Sequence, residues 1–280
     1  MTDISSCVAC GGTVAPDGRC WDCGAPQPAF RSHLEITTGS GAAGVSDRGL
    51  RRGVNADAMA SATTGSWTIG VVCDGVSMSP RADRAAQVAA EVGAATLVTR
   101  LGAGALPEVA LAEATVRAGR AVAALATSVH DAPACTYVAG VVGPAGLWAG
   151  GVGDSRAYWL PDTGTGMALT EDDAGEHEML SAWLGADADE VTPRVRSFRP
   201  PGAGRLLLCT DGLSRYLPDA ESLRAVLRRH TRSAAPGDAQ VAAARALVGH
   251  ALAAGGQDNV TALLIPTPTA FARQAGPSSS

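Results

Sequence analysis

The alternation of apolar and polar positions divides this chain into short β-rich runs and longer Ala-rich stretches. Thr68, Ile69, Val71, Val72 and Cys73 form one such run, which meets Asp74-Gly75 and then a polar turn. Continuous apolar character over so few residues predicts a buried strand. Leu206-Leu-Leu-Cys-Thr-Asp211-Gly212 repeats the arrangement. From Cys135 onward, the runs Cys135–Val142, Leu147–Gly153 and Arg156–Leu160 are divided by Gly-containing turns and predict an antiparallel meander. His33–Thr38 reads as a first strand and the run from Asp258 to Ile265 as a last one.

Helical stretches lie between these runs. Ser79 as N-cap, Pro80 at the first position and Asp83 in the first turn predict a helix to about Arg100. A second is expected from Leu106 to Ser128, a third from Asp219 to His230, and a fourth from Pro236 to a stop at Gly255-Gly256. Two polar segments remain. Val45–Ala58 reads as a loop carrying Arg51, Arg52, Asn55 and Asp57, and Leu169–Pro193 as a solvated acidic excursion that includes His177.

Composition narrows the class. A chain of 280 residues with 46% hydrophobic and 18% charged residues has enough apolar material for one large core plus a small module. A net charge of −5 and a pI near 5.5 leave no basic footprint, so neither nucleic acid nor a membrane surface is expected as a partner. No run of about 18 uninterrupted apolar residues occurs, and the N-terminus begins polar, so a cytoplasmic protein is expected.

Four of the seven cysteines fall in the first 23 residues, and the other three, Cys73, Cys135 and Cys209, sit inside apolar runs as small core residues. Cys7-x-x-Cys10-Gly and Cys20-x-x-Cys23-Gly are two knuckles separated by nine residues. Four thiolates at this spacing match one closed tetrahedral Zn²⁺ site, with structural or partner-docking roles; a redox pair or free thiols are the other readings. So short a segment cannot build its own core, and the metal has to supply its folding free energy. The expected organisation is a zinc-ribbon-like module at 1–26, a linker at 27–32, a main domain at 33–266 and a disordered tail at 267–280.

Taken alone, Asp74-Gly75 reads as a turn after a strand. Its recurrence at Asp211-Gly212, with Asp154 between two apolar runs and Asp258 before the last strand, points elsewhere. Converging carboxylates repel one another unless cations sit between them. Arg52 and Asp57 in the polar loop add a guanidinium suited to phosphate and one more acid.

Arg52-Gly-Val-Asn55-Ala-Asp57, Val72-Cys-Asp74-Gly75, Gly153-Asp154-Ser-Arg, Leu169-Thr-Glu-Asp-Asp, Leu208-Cys-Thr-Asp211-Gly212 and Gly256-Gln-Asp258-Asn259 together resemble the PP2C-type (PPM) metal-dependent Ser/Thr protein phosphatases of bacteria. The resemblance spans about 33 to 266 and implies an α+β fold, a four-layer α-β-β-α sandwich of two antiparallel sheets flanked by helices. It implies that Asp74 bridges two Mn²⁺ or Mg²⁺ ions, with the Gly75 carbonyl on one and Asp211 and Asp258 on the other. Asp154 and Asp211 would hold a weaker third ion. Asp57 would orient the bound water, Arg52 would clamp phosphate, and Asn55 and Asn259 would support these groups. The implied reaction is hydrolysis of phosphoserine and phosphothreonine in proteins by a hydroxide bridging two ions about 4 Å apart.

The chain departs from the family pattern at Ala56, often acidic or Gln, at Ala134-Cys135-Thr136 in place of Gly-Thr-Thr, and at Val76, where some relatives carry His. A second reading is therefore a catalytically weak signalling adaptor that binds phosphopeptide and docks a protein partner through the zinc module.

Overall fold

A computed structural model describes residues 7, 9–15, 20–25, 32–128, 130–175, 180–189, 192–230 and 239–271. One sheet is built from β1 (His33–Thr37), β2 (Ala43–Asp47), β8 (Arg156–Pro161), β9 (Met167–Ala168), β12 (Gly204–Cys209) and β13 (Val260–Thr267), in the order β1-β2-β13-β12-β8-β9. The other contains β3 (Ala58–Thr64), β4 (Trp67–Cys73), β6 (Tyr137–Gly143), β7 (Gly146–Val152) and β11 (Arg194–Phe198), in the order β11-β7-β6-β4-β3. A short ladder pairs β5 (Ala134–Cys135) with β10 (Leu184–Gly185). Neighbouring strands are antiparallel throughout.

The strand period of two sorts the apolar residues into three interiors. Leu206 and Leu208 of β12, Leu263 and Ile265 of β13, and Val72 and Val138 of the second sheet meet in the layer between the sheets. Ile69, Val71 and Cys73 face the opposite way, onto α1 (Ala82–Gly102) and α2 (Pro107–Ala123). Leu207, Cys209, Ala262 and Leu264 face α4 (Ala220–His230) and α5 (Ala239–Ala253), beside the one-turn α3 (Asp211–Ser214). The result is the four-layer α-β-β-α sandwich. Central strands are covered on both faces, which is why they read as unbroken apolar runs rather than as alternation. The sheets approach closely where β6 lacks a side chain: a Cβ on Gly140 would lie 2.7 Å from Leu206 and 3.2 Å from Leu208.

Several sequence expectations change. The first helix starts at Ala82, not Ser79, because Arg81 is left-handed (φ 50°). Ser79 does not cap it; its Oγ donates to the Val76 carbonyl and accepts from the Ala134 N–H, pinning the turn after Asp74 to β5. The second helix ends at Ala123 in tight turns at Leu125 and Ala126 rather than reaching Ser128. The polar loop is shorter than expected, since Ala43–Asp47 is a buried strand held between β1 and β13. Leu169–Pro193 is not simply a solvated excursion. Leu169 and Leu184 are buried, and Asp172 and Asp173 are held by Arg156 and Arg194. The last strand runs to Thr267, and Phe271 packs into the layer between the sheets. His177, Pro236, residues 26–31 and residues 272–280 lie outside the described residues.

Antiparallel pairing then decides where the acids go. The end of β4 lies beside the start of β3 (Cys73 opposite Ala58), and the end of β12 beside the starts of β8 and β13 (Cys209 opposite Arg156 and Ala262). Asp74, Asp57, Asp211, Asp154 and Asp258 each flank one of these strand ends, so all five emerge at one end of the sandwich. No described helix is long and apolar enough to cross a membrane. Truncating Leu208, which sits between the sheets, should cost about 2–5 kcal/mol. Urea unfolding of Leu208→Ala against wild type measures it, and a loss under about 1 kcal/mol would contradict the packing described.

Candidate metal centre

Asp74 is fixed by backbone contacts on both sides. Its N–H donates to Thr136 Oγ1 at 3.0 Å, and its carbonyl accepts from the Thr136 N–H at 2.8 Å. Thr136 Oγ1 is in turn 2.7 Å from Ser155 Oγ, which ties the Asp74 turn to the Asp154 turn. Gly75 admits no side chain: a Cβ there would lie 2.7 Å from the Ala82 carbonyl oxygen and 2.9 Å from that of Ala56.

Asp57 is buried at 3% exposure, and its Oδ2 accepts from Thr261 Oγ1 at 2.7 Å and Thr210 Oγ1 at 2.9 Å. The network extends outward, since Ser46 Oγ lies 2.7 Å from Thr261 Oγ1 and accepts from Asn55 Nδ2 at 2.8 Å. Asn259 fastens the Arg52 loop to the last strand. Its Nδ2 donates to the carbonyls of Arg48 and Val54, and its Oδ1 accepts from the Ala56 N–H. Asn55 and Asn259 therefore act as struts rather than as groups open to the cleft.

Arg52 donates from Nε and Nη2 to the two oxygens of Asp258, at 2.7 and 2.8 Å. Arg215 donates to Asp211 Oδ2 and reaches within 3.6 Å of Asp258 Oδ2. These two cations do not balance the acids. Burial, then the charges of Asp57, Asp211, Asp154 and Asp258, hold Asp74 well above the usual carboxylate range. Burial pushes Asp57 up to about 7 against its two hydroxyl bonds, and pushes Asp154 up to about 6 with help from Asp211 and Asp172. Asp211 is raised by burial, with Arg215 opposing. Asp258 is the exception: burial would raise it, but the Arg52 bonds and the Asn259 N–H bring it below its ordinary value.

Two buried oxygens, Asp57 Oδ1 and Asp211 Oδ1, have no hydrogen-bond partner. Orphaned, crowded, hard oxygens fit Mg²⁺ or Mn²⁺, and the donor set contains no soft atom that would favour zinc.

Residues 48–249 match the sequence profile described as Protein phosphatase 2C. The chain belongs to this family. PP2C members are metal-dependent phosphatases. A bacterial serine phosphatase shares the fold at 20% identity and TM-score 0.68, covering 82% of this chain and 99% of its own. A serine/threonine phosphatase of S. agalactiae does so at 20% identity and TM-score 0.64, covering 84% and 99%. The catalytic domain of the serine/threonine phosphatase PstP, solved with two manganese ions, is 25% identical with TM-score 0.60 over 84% and 99%. Among curated proteins no sequence matches.

Within this PP2C frame, sequence reasoning missed Thr210, Thr261, Ser46, Ser155 and Arg215. Thr210 precedes Asp211 at the end of β12 and Thr261 lies inside β13, where a Thr looks like ordinary β propensity. Arg215 lies one turn beyond Asp211, and that i,i+4 spacing was its readable signal. Asp154 borders a cleft of about 480 Å³ lined also by Asp172, Asp211 and Arg215, and Arg156 holds Asp172 with two bonds at 2.8 and 2.7 Å.

The N-terminal cysteines also converge. Cys7 and Cys23 Sγ are 3.7 Å apart, Cys10 and Cys20 Sγ 3.5 Å, and all four lie within 4.8 Å of one another. Zinc–sulfur bonds of ~2.3 Å put tetrahedral sulfurs about 3.8 Å apart, so the set fits one Zn²⁺. Gly11 and Gly24 take φ of 74° and 72°, so each knuckle turns through its glycine.

Raised acids give the metal-free protein a definite pH response. Between about pH 4 and 7 the unfolded chain has already released the protons that folded Asp57 and Asp154 retain, so stability falls as pH rises through that window. In EDTA, Tm should fall from pH 5 to pH 7.5, and saturating Mn²⁺ should remove most of the fall. A metal-free Tm that is flat or rising over this range would contradict the assignment.

Proposed function

We propose that this phosphatase hydrolyses phosphoserine and phosphothreonine esters of proteins at the carboxylate cluster around Asp74. The observation that carries the reading is the convergence of five acids and Arg52 at one end of a PP2C sandwich. Asp74, the Gly75 carbonyl, Asp211 and Asp258 would hold two Mn²⁺ or Mg²⁺ ions, and Asp154 with Asp211 a weaker third. Bound there, the ions supply an activated water nucleophile and neutralise the phosphoryl oxygens.

The chain's own groups do the positioning. With Oδ2 saturated by Thr210 and Thr261, Asp57 has only Oδ1 left to orient the attacking water. Arg52 cannot offer its Nε–Nη2 edge to phosphate while that edge sits on Asp258. With Asp258 holding a cation, the guanidinium, 40% exposed, would be free to present the planar fork that matches a phosphoryl group. Val76 offers no proton to the leaving alkoxide, so protonation falls to water in the cleft.

The four cysteines are assigned one structural Zn²⁺ in a module separate from the phosphatase domain that begins near residue 33, a module suited to docking a protein partner. The proposed organisation is the zinc module at 1–26, a linker at 27–32 and a phosphatase domain from 33 whose end moves from 266 to about 271, because β13 runs to Thr267 and Phe271 packs between the sheets.

Purified protein should hydrolyse p-nitrophenyl phosphate and phosphoserine or phosphothreonine peptides only with Mn²⁺ or Mg²⁺. Asp74→Asn should reduce turnover at least about 10²-fold. Wild type no faster than Asp74→Asn would leave only the phosphopeptide-binding adaptor, and a preference for sugar phosphates over phosphopeptides would replace the protein substrate class. Separately, fresh protein should carry about one equivalent of zinc, lost in Cys10→Ser while turnover persists. Elemental analysis checks this, and a wild-type protein without zinc would refute the module's assignment.

A further inference from the structure

Arg215 lies directly against two of the acids assigned to metal, and the hydrolytic reading gives it no task. It follows the single turn of α3, and its guanidinium contacts Asp211 Oδ2 while standing 3.6 Å from Asp258 Oδ2. Both carboxylates are assigned above as ligands of the divalent ions. Arg215 also lines two clefts. One, of about 340 Å³, is lined by Arg51, Arg52, Tyr216 and Asp258; the other holds Asp154, Asp172 and Asp211.

A plain i,i+4 helix pair would explain the contact with Asp211, but it stabilises only a helix that exists. α3 is four residues long, and the pair does not end at its own helix, since Arg215 also approaches Asp258, 43 positions further along the chain. Physically, the arginine does what a cation would do there: it partly neutralises two acids of a crowded set. Asp258 has Arg52 at both oxygens, the Asn259 N–H at Oδ1 and Arg215 near Oδ2, whereas Asp211 has Arg215 on Oδ2 and an orphaned Oδ1. A divalent ion approaching Asp211 and Asp258 must displace the Arg215 guanidinium or accept its repulsion at contact range. Because the side chain is 62% exposed and attached at the cleft rim, displacement into solvent is open to it.

We infer that Arg215 is a built-in counter-cation that competes with the divalent ion for Asp211 and Asp258 and so sets the metal affinity of the centre. The inference rests on the metal-ligand assignment above and goes beyond it. Arg52 shares the contact with Asp258 but is committed to phosphate; Arg215 is a positioning residue acting through the ligands. It makes the centre demand more free metal than its carboxylates alone would require.

Isothermal titration of MnCl₂ into EDTA-stripped, desalted full-length protein tests this without any turnover. Arg215→Gln and Arg215→Ala should each bind the weaker Mn²⁺ about fivefold more tightly than wild type, the scale of one partly exposed ion pair. Arg215→Lys, which keeps the charge, should stay within about twofold of wild type. The gap between wild type and Arg215→Gln should narrow at high salt, where an exposed guanidinium is screened. Circular dichroism melts establish that the variants are folded, and with two neutral substitutions either one suffices for the comparison. Equal or weaker Mn²⁺ binding in the folded neutral variants overturns the role of Arg215 while leaving the metal centre standing. Failure of wild type to bind Mn²⁺ at all overturns the metal centre and this inference with it.

Discussion

Mutual repulsion among Asp57, Asp74, Asp154, Asp211 and Asp258 is the constraint on which this structure depends. Five acids gathered at one end of two sheets, several of them buried, are tolerable only if protons, guanidinium groups or metal ions offset them. The first two means are both at hand: burial favours the protonated form of Asp57, Asp74, Asp154 and Asp211, and Arg52 and Arg215 lie against Asp258 and Asp211. The rest of the fold keeps the acids from moving apart. Packing between the sheets fixes the strand ends, and Thr136, Thr210, Thr261 and Asn259 fix the turns that leave them.

The division between rigid and exchangeable parts follows from this. Backbone and hydroxyl contacts around Asp57 and Asp74 are short, local to the sheet ends and shielded from solvent. The arginine contacts, by contrast, are made by long side chains that are 40% and 62% exposed. Asp57 and Asp74 are held by groups that stay, and the charge of Asp211 and Asp258 is offset by side chains that can leave. That arrangement suits a centre whose cations enter from solution. It also explains why an arginine expected to clamp phosphate is found on a carboxylate.

Much of this was legible in the sequence because the apolar runs and the acids that end them are local features. The strands of Leu206–Cys209 and Thr68–Cys73, the meander, and the late helices follow directly from runs and turns. β2 and β3 were not legible: Ala-Gly-Val-Ser-Asp and Ala-Met-Ala-Ser-Ala-Thr-Thr carry little strand propensity, and they are strands because neighbours supply the ladder, β1 and β13 on either side of β2 and β4 on the inner side of β3. The start of α1 was misread because Ser79 has the chemistry of a cap, yet spends it on Val76 and Ala134. Among site residues, the acids could be named from spacing and family likeness. The hydroxyls around Asp57 could not, since their roles exist only once Ser46, Thr210 and Thr261 are brought together from three separate strands or strand ends.

The central claim is that this cluster is a divalent-cation site assembled from distant strand ends. Anomalous diffraction from crystals grown with Mn²⁺, collected on both sides of the manganese edge, tests it most directly. The account predicts two strong manganese peaks among Asp74, Gly75, Asp211 and Asp258, with Arg52 no longer paired to Asp258. Manganese absent from that cleft, with the Arg52–Asp258 pair intact in Mn²⁺-saturated crystals, would contradict it.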